Sequence, residues 1–432
     1  MNGQVTHARA ADSEAPPDVS EAVEHLFRHE WAKLVATLTR IFGIEHLKLA
    51  EDVVQEALVR ALQTWPFYGV PEKPASWILR TARNLALDVV RREKNFRDKE
   101  PQIAQWMERD EDGEGSPDGE IADDTLRMIL VCCHPRIPAD AQAALALRTL
   151  CGFGAAEIAR AFLTTEAATA KRLTRAKQKI REAKISFEIP SGAELARRLD
   201  GVLQCLYLLF NEGYKASGGE RLVRAEVCGE AIRLAGLLAE YPAGNRPQTH
   251  ALLALMLLNA ARLPARVDGI GNLLRLQEQD RSLWDRGMMA RGMFHLARSA
   301  EGGEAGVFHL QAGIAACHCA AVDYQSTDWA QILALYDRLM QLDGSPVVAL
   351  NRAVVIANLQ GPAAGLEAIG AMANLKALDD YHLLHAVRGE LEMRLGHREA
   401  AAANFRRSLE LAGTKSEEAF LAKRLLECGE RV

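Results

Sequence analysis

The chain has 432 residues, 49% of them apolar and 25% charged, with a formal net charge of −5. At about 150 residues per domain it holds roughly three domains, each large enough to bury a core without metal or disulfide staples. This balance excludes wholesale disorder, and the acidic total means that any nucleic-acid surface must be local.

Residues 1–20 are polar, hold Ala, Pro and acids, and lack an apolar signal core, so they read as a disordered tail. The longest apolar run, Ala251 to Leu258, falls far short of a membrane span. Eight scattered cysteines suit reduced thiols in a cytoplasmic protein, not a disulfide framework. From Glu21 onward the apolar residues recur with helical period and no run alternates like a strand, so the fold class is all-α. Two composition shifts divide the chain into a helical block at 21–100, an acidic linker at 101–121, a small block at 122–187 and a large block at 191–432. The stretch from Glu108 to Asp124 holds nine acids and one Arg; it repels itself and reads as flexible. Ile189-Pro190-Ser191-Gly192 breaks the helix before the last block, with Ser191 as the next N-cap.

In the first block, Leu49 to Trp65 reads as an amphipathic helix. Ala50, Val53, Val54, Ala57, Leu58, Ala61 and Trp65 form its inward stripe. Asp52, Gln55 and Glu56 share the outward face, which taken alone is an ordinary solvated one. Pro74 to Lys94 is a second helix, with Ile78, Ala82, Leu85 and Val89 expected inward. Arg80, Arg83, Arg91 and Lys94 make a basic side; Trp77, Thr81, Asn84, Asp88 and Arg91 lie along an adjacent face. Basic residues beside an aromatic ring and amides suit strand-backbone contact and base stacking, against the plain alternative of a core Trp77 and solvated arginines.

In the second block, Ala139 to Leu150 is an apolar-faced helix broken at Cys151-Gly152-Phe153-Gly154. Ala155 to Phe162 is a short helix, Leu163-Thr164-Thr165 a turn with Thr165 as cap, and Glu166 to Lys184 a longer helix. That order is a helix-turn-helix pattern. Ala170, Leu173, Ala176 and Ile180 are expected to hold the last helix to the core. Thr165, Thr169, Lys171, Arg172, Arg175, Lys177 and Lys179 are its candidate contacts to base edges and phosphates.

Leu49-Ala50-Glu51-Asp52-Val53-Val54-Gln55-Glu56-Ala57-Leu58 resembles the polymerase-binding segment of bacterial RNA polymerase sigma factors. Trp77-Ile78-Leu79-Arg80-Thr81-Ala82-Arg83-Asn84-Leu85-Ala86-Leu87-Asp88, followed by Arg91-Arg92, resembles their promoter-melting and −10-reading helices, and the basic helix-turn-helix resembles their −35-reading domain. The compact arrangement is similar to extracytoplasmic-function (ECF) sigma factors over about residues 21–187. The resemblance implies that Asp52, Gln55 and Glu56 dock on the clamp helices of the polymerase β′ subunit. It also implies that Trp77, Arg80, Thr81, Asn84, Asp88, Arg91 and Arg92 serve the −10 element. Its chemistry is recognition, with no catalytic residues, metal or cofactor; the chain has no P-loop, HExxH or Gly-x-Ser-x-Gly motif.

The third block exceeds a minimal sigma factor. Leu206-Tyr207-Leu208-Leu209-Phe210-Asn211-Glu212-Gly213-Tyr214, with Asp123-Asp124-Thr125-Leu126-Arg127 and Cys132-Cys133-His134-Pro135, resembles a subfamily with a C-terminal extension related to tetratricopeptide repeats (TPR-like). Gly389, Gly396, Ala401 and Phe405 fit one helix pair. Trp329 to Gly344 aligns with Arg398 to Gly413, with Tyr336 opposite Phe405, although Ser408 stands where Ala is usual. Cys317-His318-Cys319 and Cys132-Cys133-His134 point to different helix faces and read as buried thiols, not metal sites. Asp268-Gly269-Ile270-Gly271-Asn272 reads as a turn before a helix containing Asp280, Arg281, Trp284 and Asp285.

The expected function is a sigma factor whose partners are core RNA polymerase and promoter DNA, with no membrane partner. Its helical extension is expected to bind a partner or to pack on the sigma domains and control them. A helix-turn-helix regulator with a repeat-type sensor leaves the first block unexplained, and a hydrolase or transferase on the third block has no assembled catalytic set.

Overall fold

The computed structural model describes residues 19–92 and 123–429, apart from 163, 184, 189, 191, 216–222 and 270–271. The expected tail (save Val19 and Ser20, which begin the first helix), the linker at 101–121, the Ser191 cap and the side chains of Arg92 and Lys94 lie outside the described residues. The described residues are helical, with no strand and one isolated bridge between Val267 and Leu273.

The first block is α1 (Val19–Phe42), α2 (Leu47–Tyr68) and α3 (Pro74–Arg92). Gly69, at φ +82°, stops α2 in a conformation that side chains disfavour, and Pro74 opens α3 where a missing N–H costs little. The inward stripe of α2 is buried as expected. On α3 the stripe is Ile78, Ala82, Ala86 and Val90, spaced by four; Leu85 is half-buried and Val89 exposed, which corrects the expected register.

The second block is α4 (Asp124–Cys132), α5 (Ala139–Cys151), α6 (Ala155–Ala161) and α7 (Glu166–Glu182). Asp123 caps α4 by accepting the N–H groups of Thr125 and Leu126 at 2.9 and 3.0 Å. Thr165 caps α7, accepting from Ala168 N at 3.2 Å. Gly152 ends α5 at φ +68°, and a Cβ there would fall 2.6 Å from the Phe27 ring of α1. Only glycine satisfies both the turn and that close approach.

The third block runs through α8 (Gly192–Tyr214), α9 (Ala225–Glu240), α10 (Pro247–Ala260), α11 (Arg286–Ser299), α12 (Val307–Ala320), α13 (Trp329–Leu342), α14 (Pro346–Gln360), α15 (Pro362–Gly370), α16 (His382–Arg394), α17 (Arg398–Glu410) and α18 (Lys415–Glu427). Helix α10 is buried all round from Thr249 to Leu258, so the longest apolar run is a central core helix. Near the end, a Cβ on Gly389 would fall 2.7 Å from the Phe405 ring, so α16 and α17 meet at the small–aromatic position that the repeat spacing expects. Ser408 is fully buried there and donates to His382 O at 2.9 Å, which satisfies the hydroxyl where Ala is usual. The start and end of the block are tied together. Glu417 accepts from Lys215 at 3.2 Å and His382 at 3.0 Å, and although burial raises its pKa, these partners outweigh it and hold it down to about 2.

The three blocks are not separate bodies. One continuous apolar core runs from Val23 through the second block to Cys319, and three smaller clusters fill the later helices.

Candidate polymerase and nucleic-acid interface

Because α2 buries one arc, its other arc is displayed. Asp52, Gln55 and Glu56 are all exposed, and Glu56 accepts from the neighbouring Arg60 at 3.1 Å. One turn on, Val59 and Leu62 are 41% and 42% exposed, which extends the acidic–amide face with an apolar end. The sequence reading missed these two; the signal was the same face continued by three and four residues.

On α3, Arg80, Asn84, Asp88 and Arg91 are exposed along one side, with Thr81 half-buried beside them. Trp77 is half-buried and meets Trp65 edge-on at 5.4 Å, so it anchors α3 on α2 while keeping part of its ring at the surface. Phe67 and Tyr68, at the end of α2, are 82% and 85% exposed. Exposed rings are the side chains on which unpaired bases stack; the reading passed over them, and adjacent aromatics before Gly69 were the available signal.

Helix α7 holds the core through Thr169, Leu173, Ala176 and Ile180. Thr169, an expected DNA contact, is fully buried, while Ala170, an expected core residue, is exposed. Both expectations are corrected by a shift of one residue: 169, 173, 176 and 180 keep helical spacing, whereas 170 leaves that arc. Thr165, Lys171, Arg175 and Lys179 are exposed, with Thr174 and Gln178 on the same side. Arg172 is engaged with Asp140 at 3.1 Å. Lys177 is not displayed; its Nζ donates to Glu51 of α2 at 2.6 Å. Glu51 is 2% exposed and also faces Arg148 of α5 at 3.5 Å. Thus the basic helix of the second block is tied to the helix bearing the acidic face of the first.

That seam continues along α1. Trp31 Nε1 donates to Thr149 O at 3.1 Å, and Arg40 pairs with Asp124 at 2.8 Å. On its other side the second block rests on α8 and α9. Arg198 donates to Leu130 O at 3.0 Å, the Cys133 and Cys205 sulfurs lie 3.4 Å apart, and Arg233 pairs with the α4 cap Asp123 at 2.6 Å.

Among the described residues no group of three metal-type side chains converges. Cys132 faces Thr149 at 3.6 Å and burial pushes its thiol up to about 12, while Cys319 Sγ points at Leu258 O. His318 stacks edge-on against Trp329. Asp280, Arg281, Trp284 and Asp285 lie outside the helix expected to contain them: Arg281 sits in a 3-10 turn capped by Asp280, and Asp285 caps α11. Asp280 and Asp285 accept the N–H groups of Ser282 and Met288, so each begins a separate element and the four residues do not share one helix. Arg281 donates to the carbonyls of His318 and Ala321, both at 2.7 Å, which makes it an internal tie.

Three family models match the chain: sigma-70 region 2 over residues 26–96, sigma-70 region 4 over 127–180, and a family of unknown function, DUF6596, over 198–300. An uncharacterized protein of Rhizobium meliloti (strain 1021) is 39% identical over 395 residues, covering 90% of this chain and 92% of that one. No solved structure matches the chain significantly.

Proposed function

The chain belongs to the sigma-70 family, in the extracytoplasmic-function arrangement with an added C-terminal helical domain, and on that premise we propose how its surfaces work. It is a transcription initiation factor that binds core RNA polymerase and directs it to promoters, and the domains that match are those of non-enzymatic factors. In our reading Asp52, Gln55 and Glu56 dock on the β′ clamp helices, with Val59 and Leu62 extending the contact. The α3 side, with Phe67 and Tyr68, holds the unpaired −10 strand. Lys171, Arg175 and Lys179 meet the −35 duplex once α7 is free, joined by Arg172 and Lys177. The C-terminal domain, TPR-like in its Gly389–Phe405 packing, controls the factor, which acts in the cytoplasm.

The observation that carries this reading is that an exposed acidic face and an exposed basic helix fall inside the two matched sigma regions. Transcription in vitro with purified core polymerase, the full chain and the upstream region of its own gene tests it. Initiation from a discrete start is expected; DNA binding with no effect on polymerase would favour the helix-turn-helix regulator.

A second feature supports control by closure. Promoter elements at −35 and −10 are about 25 base pairs apart, about 85 Å of B-DNA at roughly 3.4 Å per base pair. Helix α2 packs on α3 and is bridged to α7 by Glu51–Lys177. With helices about 10–12 Å across, α3 and α7 lie within about 30 Å, too close to read both elements. In this reading the regions separate before promoter engagement, and α8 and α9, packed on region 4, bias that step.

A further inference from the structure

Between α8, α10, α12, α13 and α14 lies a hollow of about 270 Å³. Its walls include the rings of Tyr207, Phe210 and Tyr214 from α8 and Tyr336 from α13. Four amide side chains, Asn211, Asn259, Gln311 and Asn351, reach it from four different helices. Arg262 is its charged lining residue, and among the described residues no Asp or Glu lines it.

The Arg262 guanidinium carbon lies 5.3 Å from the Trp284 ring, and its Nη2 donates to the Gln279 amide oxygen at 3.5 Å. Among the described residues it makes no ion pair with a carboxylate. Arg266 adds a second positive charge behind the wall, 3.7 Å over the Tyr214 ring. Burial, reinforced by Arg262 and Arg281, pushes His318 down to about 4, so this ring stays neutral near pH 7 and Arg262 supplies the charge. Three lining residues, Arg262, Gln311 and His318, each keep one buried polar atom without a partner. These atoms are themselves closed off from solvent, so the donors and acceptors offered to the hollow are the remaining polar atoms of these side chains and of the asparagines.

We propose that this hollow binds a small planar carboxylate. The carboxylate meets Arg262, the flat body lies among the tyrosine rings, and polar substituents meet the asparagine and glutamine amides. The volume is below the roughly 300–1,000 Å³ of most drug-sized sites, which argues for a small ligand over a nucleotide or a peptide. One cation in the lining itself, with Arg266 held behind the wall and neutral amides around it, suits a monoanion, whereas a phosphate dianion calls for several charged donors in direct reach. The floor of the site is α8, the helix whose Arg198 and Cys205 rest on region 4, so occupancy stiffens an element shared with the DNA-reading domain.

The test uses the purified full chain without polymerase, so its failure and the failure of the sigma reading are told apart. Calorimetry and saturation-transfer NMR at pH 7 compare 4-hydroxybenzoate and indole-3-acetate with their neutral amides, 4-hydroxybenzamide and indole-3-acetamide. The acids are expected to bind more tightly than the amides. Arg262→Gln should weaken acid binding roughly 10- to 150-fold, the range of a lost charged hydrogen bond, and bring acid and amide to parity. Because Arg262 also stacks on Trp284, a second variant is needed: Asn351→Leu, at an exposed residue, should weaken the acid several-fold while the thermal midpoint of the free protein stays put. Bound acid should slow amide exchange across Tyr207–Tyr214. Equal binding of acids and amides, acid binding that survives both variants, or no acid bound below about 10 mM overturns the proposal and leaves a hollow filled by water alone.

Discussion

Neutralising Glu51 should loosen the seam between regions 2 and 4. The carboxylate is 2% exposed and holds Lys177 at 2.6 Å, with Arg148 at 3.5 Å. Breaking a fully buried pair costs about 3–5 kcal/mol. Here the cationic partners keep 16% and 25% exposure, and a Gln amide at position 51 still accepts one hydrogen bond. A penalty of about 1–3 kcal/mol therefore remains for Glu51→Gln, borne by the closed arrangement, because the open one solvates these groups. The open population then rises about 5- to 150-fold. If only the open form docks, the apparent dissociation constant for core polymerase falls by the same factor until opening is complete. The assay is a fluorescence titration of the full chain with core polymerase, run beside Arg40→Gln, which cuts the Arg40–Asp124 tie away from the docking face. Both variants should bind more tightly, and the effect should shrink with salt as wild type opens too. Unchanged or weaker affinity in both folded variants would refute the latch. Tighter binding by Arg40→Gln alone would mean that Glu51 itself touches polymerase.

Asp52→Arg should weaken association with core polymerase and leave helical content and the thermal midpoint nearly unchanged, because Asp52 is exposed on α2; undiminished binding by the folded variant removes the docking assignment. Arg175→Ala should cost roughly 1–3 kcal/mol and relax preference at one promoter position, whereas Lys179→Ala should weaken all sequences alike and flatten the salt dependence, both read by duplex titration over a salt series. Normal promoter-dependent transcription by the Arg172→Ala, Arg175→Ala double variant would count against the −35 placement. Glu417, whose pKa is depressed to about 2 from 4.5, contributes stability that is fully present above pH 4.5 and is lost as pH falls toward 2. Glu417→Gln should therefore unfold at lower urea than wild type at pH 6, by at most about 3 kcal/mol, and the gap should close as pH falls through that window; a gap independent of pH contradicts the ion cluster.

Much of this molecule was legible in one dimension because its information is local. The spacing of Ala50, Val53, Val54, Ala57, Leu58, Ala61 and Trp65 decides which arc of α2 is buried, and hence that Asp52, Gln55 and Glu56 are displayed. Thr165 and the turn before it mark the basic helix without any knowledge of its neighbours, and Gly389 and Phe405 announce a helix pair because one side chain's absence makes room for the other. Finer register was not legible: Thr169 and Ala170 are both small, and Leu85 and Ala86 both apolar, so either member of each pair could sit inside the arc boundary and only packing chose Thr169 and Ala86. What the tertiary structure alone decided is who faces whom across sequence distance. Nothing in the neighbourhood of Glu51 or Lys177 marks them as partners 126 residues apart: Lys177 reads as a DNA contact and Glu51 as one acid of the docking segment until α2 and α7 meet. The fold places Glu51 against two cations in a site of 2% exposure, where an ion pair is strong and its absence costly, so the joining of the two promoter-reading regions rests on geometry that periodicity cannot encode.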